Sequence, residues 1–184
     1  MGILGKLGRR DAVRHEVQRS RQALVRIAYG WCHDAQLAED LAQEAVEKAL
    51  RNAAQVQEPE RLKGWLYRIL ANCLRDHYRA RREHDDLHEH ADTLADAGPT
   101  PEESQARTQV TARVRRAVAE LPLGQRQTVT LVDLEGCSYA EVSEALQIPI
   151  GTVMSRLCRA RQALRARLLG MAPDERETKL RSVK

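Results

Sequence analysis

An all-helical fold is the expectation for this chain, and three observations carry it. Phenylalanine is absent and aromatic residues make up only 3% of the 184, so any core must rest on Leu, Val, Ile and Ala. Alternating strand patterns with β-branched runs are hard to find. Apolar residues recur instead at helical spacing on both sides of an acidic stretch, residues 84–104. That stretch is rich in Asp, Glu and His and is then broken by Gly98, Pro99 and Pro101, so it has little to bury. The predicted architecture is two small helical domains, 11–83 and 105–170, joined by a flexible acidic linker.

Residues 1–10 read as a loose basic tail. A first helix runs through Val17, Leu24, Val25, Ile27 and Ala28 to Trp31, and a second begins after Asp34 with LAEDLAQEAVEKALRNA. Residues 53–63, with Pro59, read as a loop before a third helix, GWLYRILANCLRDHYRARRE. A second helical block opens near Gln105, and the polar residues from Pro173 onward are expected to fray.

Within the second block, Ser138 and Glu141 form a capping box that starts a short helix with Val142, Ala145 and Leu146 on its apolar face. Pro149 stops it, because proline cannot continue the hydrogen-bond ladder and turns Ile148 away from helical angles. In the next helix Ile150, Val153, Leu157, Ala160, Leu164 and Leu168 recur at helical spacing, while Thr152, Ser155, Arg156 and Arg159 project from its other side. From Ala145 to Pro173 every charged residue is an arginine. Two helices with a tight break and a basic second member read as a helix-turn-helix, whose second helix enters the DNA major groove. A plain helical hairpin with a solvated basic face is the alternative.

The net charge of +4 is unevenly spread, with basic runs at Arg75–Arg82 and Arg156–Arg167 that suit a polyanion. Arg68, Asn72, Arg75, Arg79 and Arg82 step by four, three, four and three residues and so form one stripe of the third helix, opposite Leu66, Ile69, Leu70 and Cys73. Arginine tracks phosphates and asparagine can read a base edge. Trp65 and Tyr67 beside the stripe would stack unpaired bases, or else serve the core. The second helix has the reverse polarity: Asp40, Gln43, Glu44 and Glu47 share one side, which would repel DNA but steer docking on a basic protein surface.

Cys32, Cys73, Cys137 and Cys158 are scattered without a CxxC pair and read as reduced thiols of a cytosolic protein. His84, His88 and His90 lack a preorganised scaffold, so no metal and no cofactor is expected. No run approaches the ~18 apolar residues that span a membrane, and no nucleophile-elbow, phosphate-loop or HExxH pattern supports catalysis. A cytoplasmic protein that is not membrane-inserted and not an enzyme is the expectation.

Four segments, DAQLAEDLAQEAVEKAL, RLKGWLYRILANCLRDHYRARR, LPLGQRQTVTLVDLEGCSYAEVSEAL and IPIGTVMSRLCRARQAL, occur in an order that resembles bacterial RNA polymerase sigma factors of the extracytoplasmic-function class. The resemblance covers residues 20–170. It implies that Asp40, Gln43, Glu44 and Glu47 bind core RNA polymerase, and that Trp65, Arg68, Asn72, Arg75, Arg79 and Arg82 serve the minus-ten element. It implies that loop 53–63 captures a flipped base and that Thr152, Met154, Ser155, Arg156 and Arg159 face minus-thirty-five promoter DNA. Met154 stands where several relatives have arginine, and a thioether cannot make arginine's bidentate contact to guanine. An anti-sigma factor is a further implied partner. Two rivals remain at this level: a dimeric helix-turn-helix repressor, which needs no acidic helix, and a redox or metal sensor built on Cys137, Cys158 and the linker histidines.

Overall fold

The computed structural model describes residues 3–53, 56, 61–85 and 105–170, and every regular element among them is helical. The order is α1 (Ile3–Arg19), α2 (Arg21–Cys32), α3 (Ala35–Arg51), α4 (Leu62–Asp85), α5 (Gln105–Ala119) and α6 (Leu123–Val129). A π-helical turn, Thr130–Leu134, then leads to α7 (Tyr139–Leu146) and α8 (Ile150–Gly170). Residues 86–104 and the expected frayed end from Pro173 lie outside the described residues, as do His88 and His90.

Two boundaries differ from expectation. The basic tail is helical from Ile3, and the single first helix is two, parted at Ser20. There the Ser20 hydroxyl donates back to the Glu16 carbonyl at 2.8 Å and shares that acceptor with the Ser20 N–H at 3.0 Å, a side-chain back-bond of the kind that bends helices. α4 begins at Leu62, inside the expected loop, whose residues 54–55 and 57–60 are outside the described set.

The remaining ends follow local chemistry. His33 closes α2 in the left-handed region (φ 56°), its N–H reaching the Tyr29 carbonyl at 2.9 Å. Asp34 then caps α3, its Oδ1 accepting from the Leu37 N–H at 3.0 Å. Four of the five buried α3 residues are alanines (Ala38, Ala42, Ala45, Ala49), so α2 and α4 can pack close to its backbone. The capping box is formed: Ser138 Oγ accepts from the Glu141 N–H at 3.3 Å, and Glu141 Oε2 accepts from the Ser138 N–H at 2.7 Å. Those bonds to its charged form hold the Glu141 carboxyl below the usual range.

One core joins the two helical halves. Val17, Leu24, Ile27, Trp31, Leu66 and Leu70 from the first are continuous with Leu131, Val142, Leu146 and Val153 from the second. Each such side chain contributes about 1.5–3 kcal/mol by leaving water. A smaller cluster of Leu121, Val129, Leu157 and Ala160 fixes α8 on α6. Between the halves lies Arg126, only 9% exposed. Its Nη1 donates to the Trp31 carbonyl of α2 at 2.7 Å, and its Nη2 to the carbonyls of Ala119 (2.7 Å) and Leu121 (2.9 Å). One buried guanidinium thus closes the chain ends of α2 and α5 together, and burial lowers its pKa.

Candidate nucleic-acid interface and acidic docking face

The acidic face of α3 is open. Asp40, Gln43 and Glu47 are exposed and Glu44 is half-buried. Pairs four residues apart organise it: Gln36 Nε2 donates to Asp40 Oδ1 (3.1 Å) and Gln43 Nε2 to Glu47 Oε1 (3.3 Å). Glu44 is already paired with Lys48 at 2.8 Å, which raises the lysine pKa. Asp40 and Glu47 therefore carry the uncompensated charge of this face.

The α4 stripe is less uniform than its spacing predicts. Arg68, Arg75 and Arg79 are exposed, and Asn72 is half-buried between them. Arg75 Nη1 donates to Asn72 Oδ1 at 3.1 Å, orienting the amide, and to Gln147 Oε1 at 3.4 Å. Arg79 is bound to Asp76 at 2.8 Å, and Lys48 approaches the same carboxylate at 3.9 Å. Asp76, four residues after Asn72, interrupts the ladder, and its position on the wheel could have revealed it. Arg82 lies on α4, but its side chain is outside the described residues.

The two aromatics separate. Trp65 is half-buried and lines a cleft of about 650 Å³ with Arg61, Arg68, Gln147 and Pro149. Tyr67 is buried, and its hydroxyl donates to Glu135 Oε2 at 3.1 Å. Burial, and next the Glu135 charge, push the Tyr67 pKa up. Tyr67 is a core residue, the alternative its sequence left open, and of the two aromatics only Trp65 lines the cleft.

On α8 the arginines divide by partner. Arg161 makes two bonds to Asp133, at 2.5 and 3.1 Å, and Arg167 binds Glu120 at 2.8 Å. Arg156 is half-buried over Gly124, where an added Cβ would come within 2.9 Å of its guanidinium. Arg159 and Arg165 are exposed and unpaired among the described residues. Thr152 and Ser155 are half-buried, Ser155 Oγ donating to the Thr152 carbonyl at 3.1 Å. Met154 is 54% exposed and Ile150 48%. The surface offered to a groove is therefore small: Ile150, Met154 and Arg159, with Thr152 and Ser155 beside them.

Three of the four thiols, Cys32, Cys73 and Cys137, are buried, and Cys158 is exposed. No group of His, Cys, Asp and Glu suited to a metal occurs among the described residues, and no described helix is long and apolar enough to cross a membrane.

Comparison with known proteins fits this arrangement. The family model for Sigma-70 region 2 matches residues 17–84, and that for Sigma-70, region 4 matches residues 111–164. The chain is 37% identical to the RNA polymerase sigma-H factor of Pseudomonas aeruginosa over 142 residues, covering 72% of this chain and 73% of that protein. It is 33% identical to the ECF RNA polymerase sigma factor SigM of Mycobacterium tuberculosis, over 89% of this chain and 80% of the relative. Among solved structures it is similar to the sigma factor RpoE of Bartonella quintana, crystallised with the anti-sigma factor NepR (TM-score 0.71, 27% identity, 86% and 97% of the two chains). The chain belongs to the sigma-70 family, in its extracytoplasmic-function class.

Proposed function

We propose a division of labour among three helices of this transcription initiation factor. α3 docks the core RNA polymerase through Asp40, Gln43, Glu44 and Glu47. α4 holds one strand of the minus-ten element with Trp65, Arg68, Asn72, Arg75, Arg79 and Arg82. α8 reads the minus-thirty-five duplex with Thr152, Met154, Ser155, Arg156 and Arg159. Residues 11–83 and 105–170 are the two functional units. Catalysis belongs to the polymerase; the factor selects promoter DNA and helps open it.

Charge segregation is the observation that carries this reading. An exposed acidic face on α3 is set beside a basic stripe on α4, and a separate arginine stands open on α8. A dimeric repressor has no use for the first, because an acidic face beside a DNA surface weakens binding to a polyanion. A sensor built on Cys137 and Cys158 is disfavoured by their placement, one buried and the other exposed. Action in the cytoplasm, and control by an anti-sigma factor, follow from the same reading and from the similarity to the factor crystallised with NepR. Run-off transcription with purified core polymerase is the test. Core plus this chain should initiate at a promoter that core alone ignores, and failure at every promoter mapped by overexpression would reject the proposal.

A further inference from the structure

The open face of α8 is apolar along one edge. At about 100° per residue, Gly151, Ser155 and Cys158 run along its middle, with Ile150 and Met154 on one flank and Arg159 on the other. Most hydrogen-bonding groups of the helix are already engaged within the chain. Ser155 Oγ donates to the Thr152 carbonyl, and the Arg156 guanidinium lies over Gly124. Arg161 is held by Asp133 and Arg167 by Glu120. Over the first two turns the large side chains left open are therefore Ile150 and Met154, four residues apart and adjacent on the surface.

The fold does not use that apolar flank. Val153, Leu157 and Ala160 are the buried residues of α8, and they supply its packing on α6 and α7. Nor does the fold require the small residue beside it. A Cβ added to Gly151 would meet nothing within 4 Å, so the absent side chain leaves room for the helix to approach something outside the chain.

We infer that Met154 is a specificity-determining residue, which packs on the C5 methyl of a thymine in the upstream duplex, with Ile150 extending the apolar flank. The inference rests on α8 being the helix that reads this duplex. Among the base edges of the major groove, the thymine methyl is the apolar feature. A flexible, polarisable thioether chain fits closely against a methyl group. Against a G·C pair, the same side chain would cover the guanine O6 acceptor or the cytosine N4 donor and offer it no partner in place of water. Selection for a T·A pair and rejection of G·C thus come from one side chain, while Arg159 works on the opposite flank.

The test uses the full chain assembled on core polymerase and a promoter duplex located by start-site mapping. Each thymine of its upstream element is replaced singly by deoxyuridine, which lacks the methyl and keeps every hydrogen-bonding group. One thymine should stand out, its replacement weakening wild-type binding about fourfold, the worth of one buried methyl. Met154→Ala should bind the thymine and uracil forms of that duplex alike. Met154→Arg should move the preference at the same position to a G·C pair. Thermal melting of each variant confirms that these exposed substitutions leave the fold intact. Equal binding of thymine and uracil forms by the wild type, or a thymine preference that survives Met154→Ala, overturns the inference. If Arg159→Ala still costs sequence-selective binding in that case, the α8 assignment stands. Binding indifferent to Arg159→Ala and to Met154→Arg rejects the α8 assignment, and the inference falls with it.

Discussion

α4 and α8 are both long helices rich in arginine, yet they hold their arginines differently. On α4, Arg75 is tied to Asn72 and Gln147, and Arg79 to Asp76. On α8, Arg161 and Arg167 are committed to the fold while Arg159 stands open. Charge counting treats the two surfaces alike. Under the proposed roles, Arg159 of α8 is open to a duplex as it stands, whereas Arg75 and Arg79 of α4 would exchange protein contacts for nucleic acid. That difference suits a factor whose upstream contact anchors and whose downstream contact is gained as the duplex opens.

The largest expected effect isolates the α4 half from its neighbour on α3. Reversing charge with Asp40→Arg and Glu47→Arg should weaken core polymerase binding by about 2–5 kcal/mol if the pairs are desolvated, and less on a rim. Fluorescence titration against core checks it, and unchanged affinity would remove α3 from the interface. DNA binding by α8 should be unaffected.

Next comes the open arginine. Arg159→Ala should cost about 1–3 kcal/mol at the upstream element if the side chain reads a base. Competition with unrelated duplex would show that loss as specificity. Arg79→Ala should act more weakly and uniformly, with a shallower salt dependence, because Asp76 already neutralises much of its charge. Equal, sequence-selective losses at both positions would erase the contrast between the helices.

Gly124 sharpens the α8 side. Gly124→Ala puts a Cβ into the Arg156 guanidinium, the far end of a flexible side chain, so the arginine should swing out at little cost in stability. A change in duplex affinity with an unaltered melting temperature would show that Arg156 is stored in the free chain. The smallest effect is Ser138→Ala, which should lose about 1 kcal/mol as the α7 cap is removed, measured by denaturant unfolding, with α4 contacts to single strands retained.

Local features were legible in the sequence because each rests on residues a few positions apart. The Ser138–Glu141 box, the start of a helix after Asp34 and the stop at Pro149 all stand where the chain predicts. The acidic face of α3 and the stripe of α4 were legible for the same reason, since helical spacing sets them. What escaped is long-range. Arg126 reaching Trp31 across 95 positions, Tyr67 meeting Glu135, and Arg156 lying over Gly124 have no period to betray them. Each makes its residue part of the fold through a partner distant in sequence. Asp76 was within reach of the helical wheel and shows that a stripe must be read with its interruptions.

Permanganate footprinting of a reconstituted promoter complex, which reports unpaired thymines, tests the central claim most directly. With core polymerase and the wild-type chain, thymines of the minus-ten element should become reactive. With Asn72→Ala they should lose much of that reactivity while the upstream contact made by α8 persists, and a template premelted across the element should restore part of the transcription. Equal reactivity in wild type and Asn72→Ala would remove Asn72 from opening, and no reactivity with wild type and core would contradict the account as a whole.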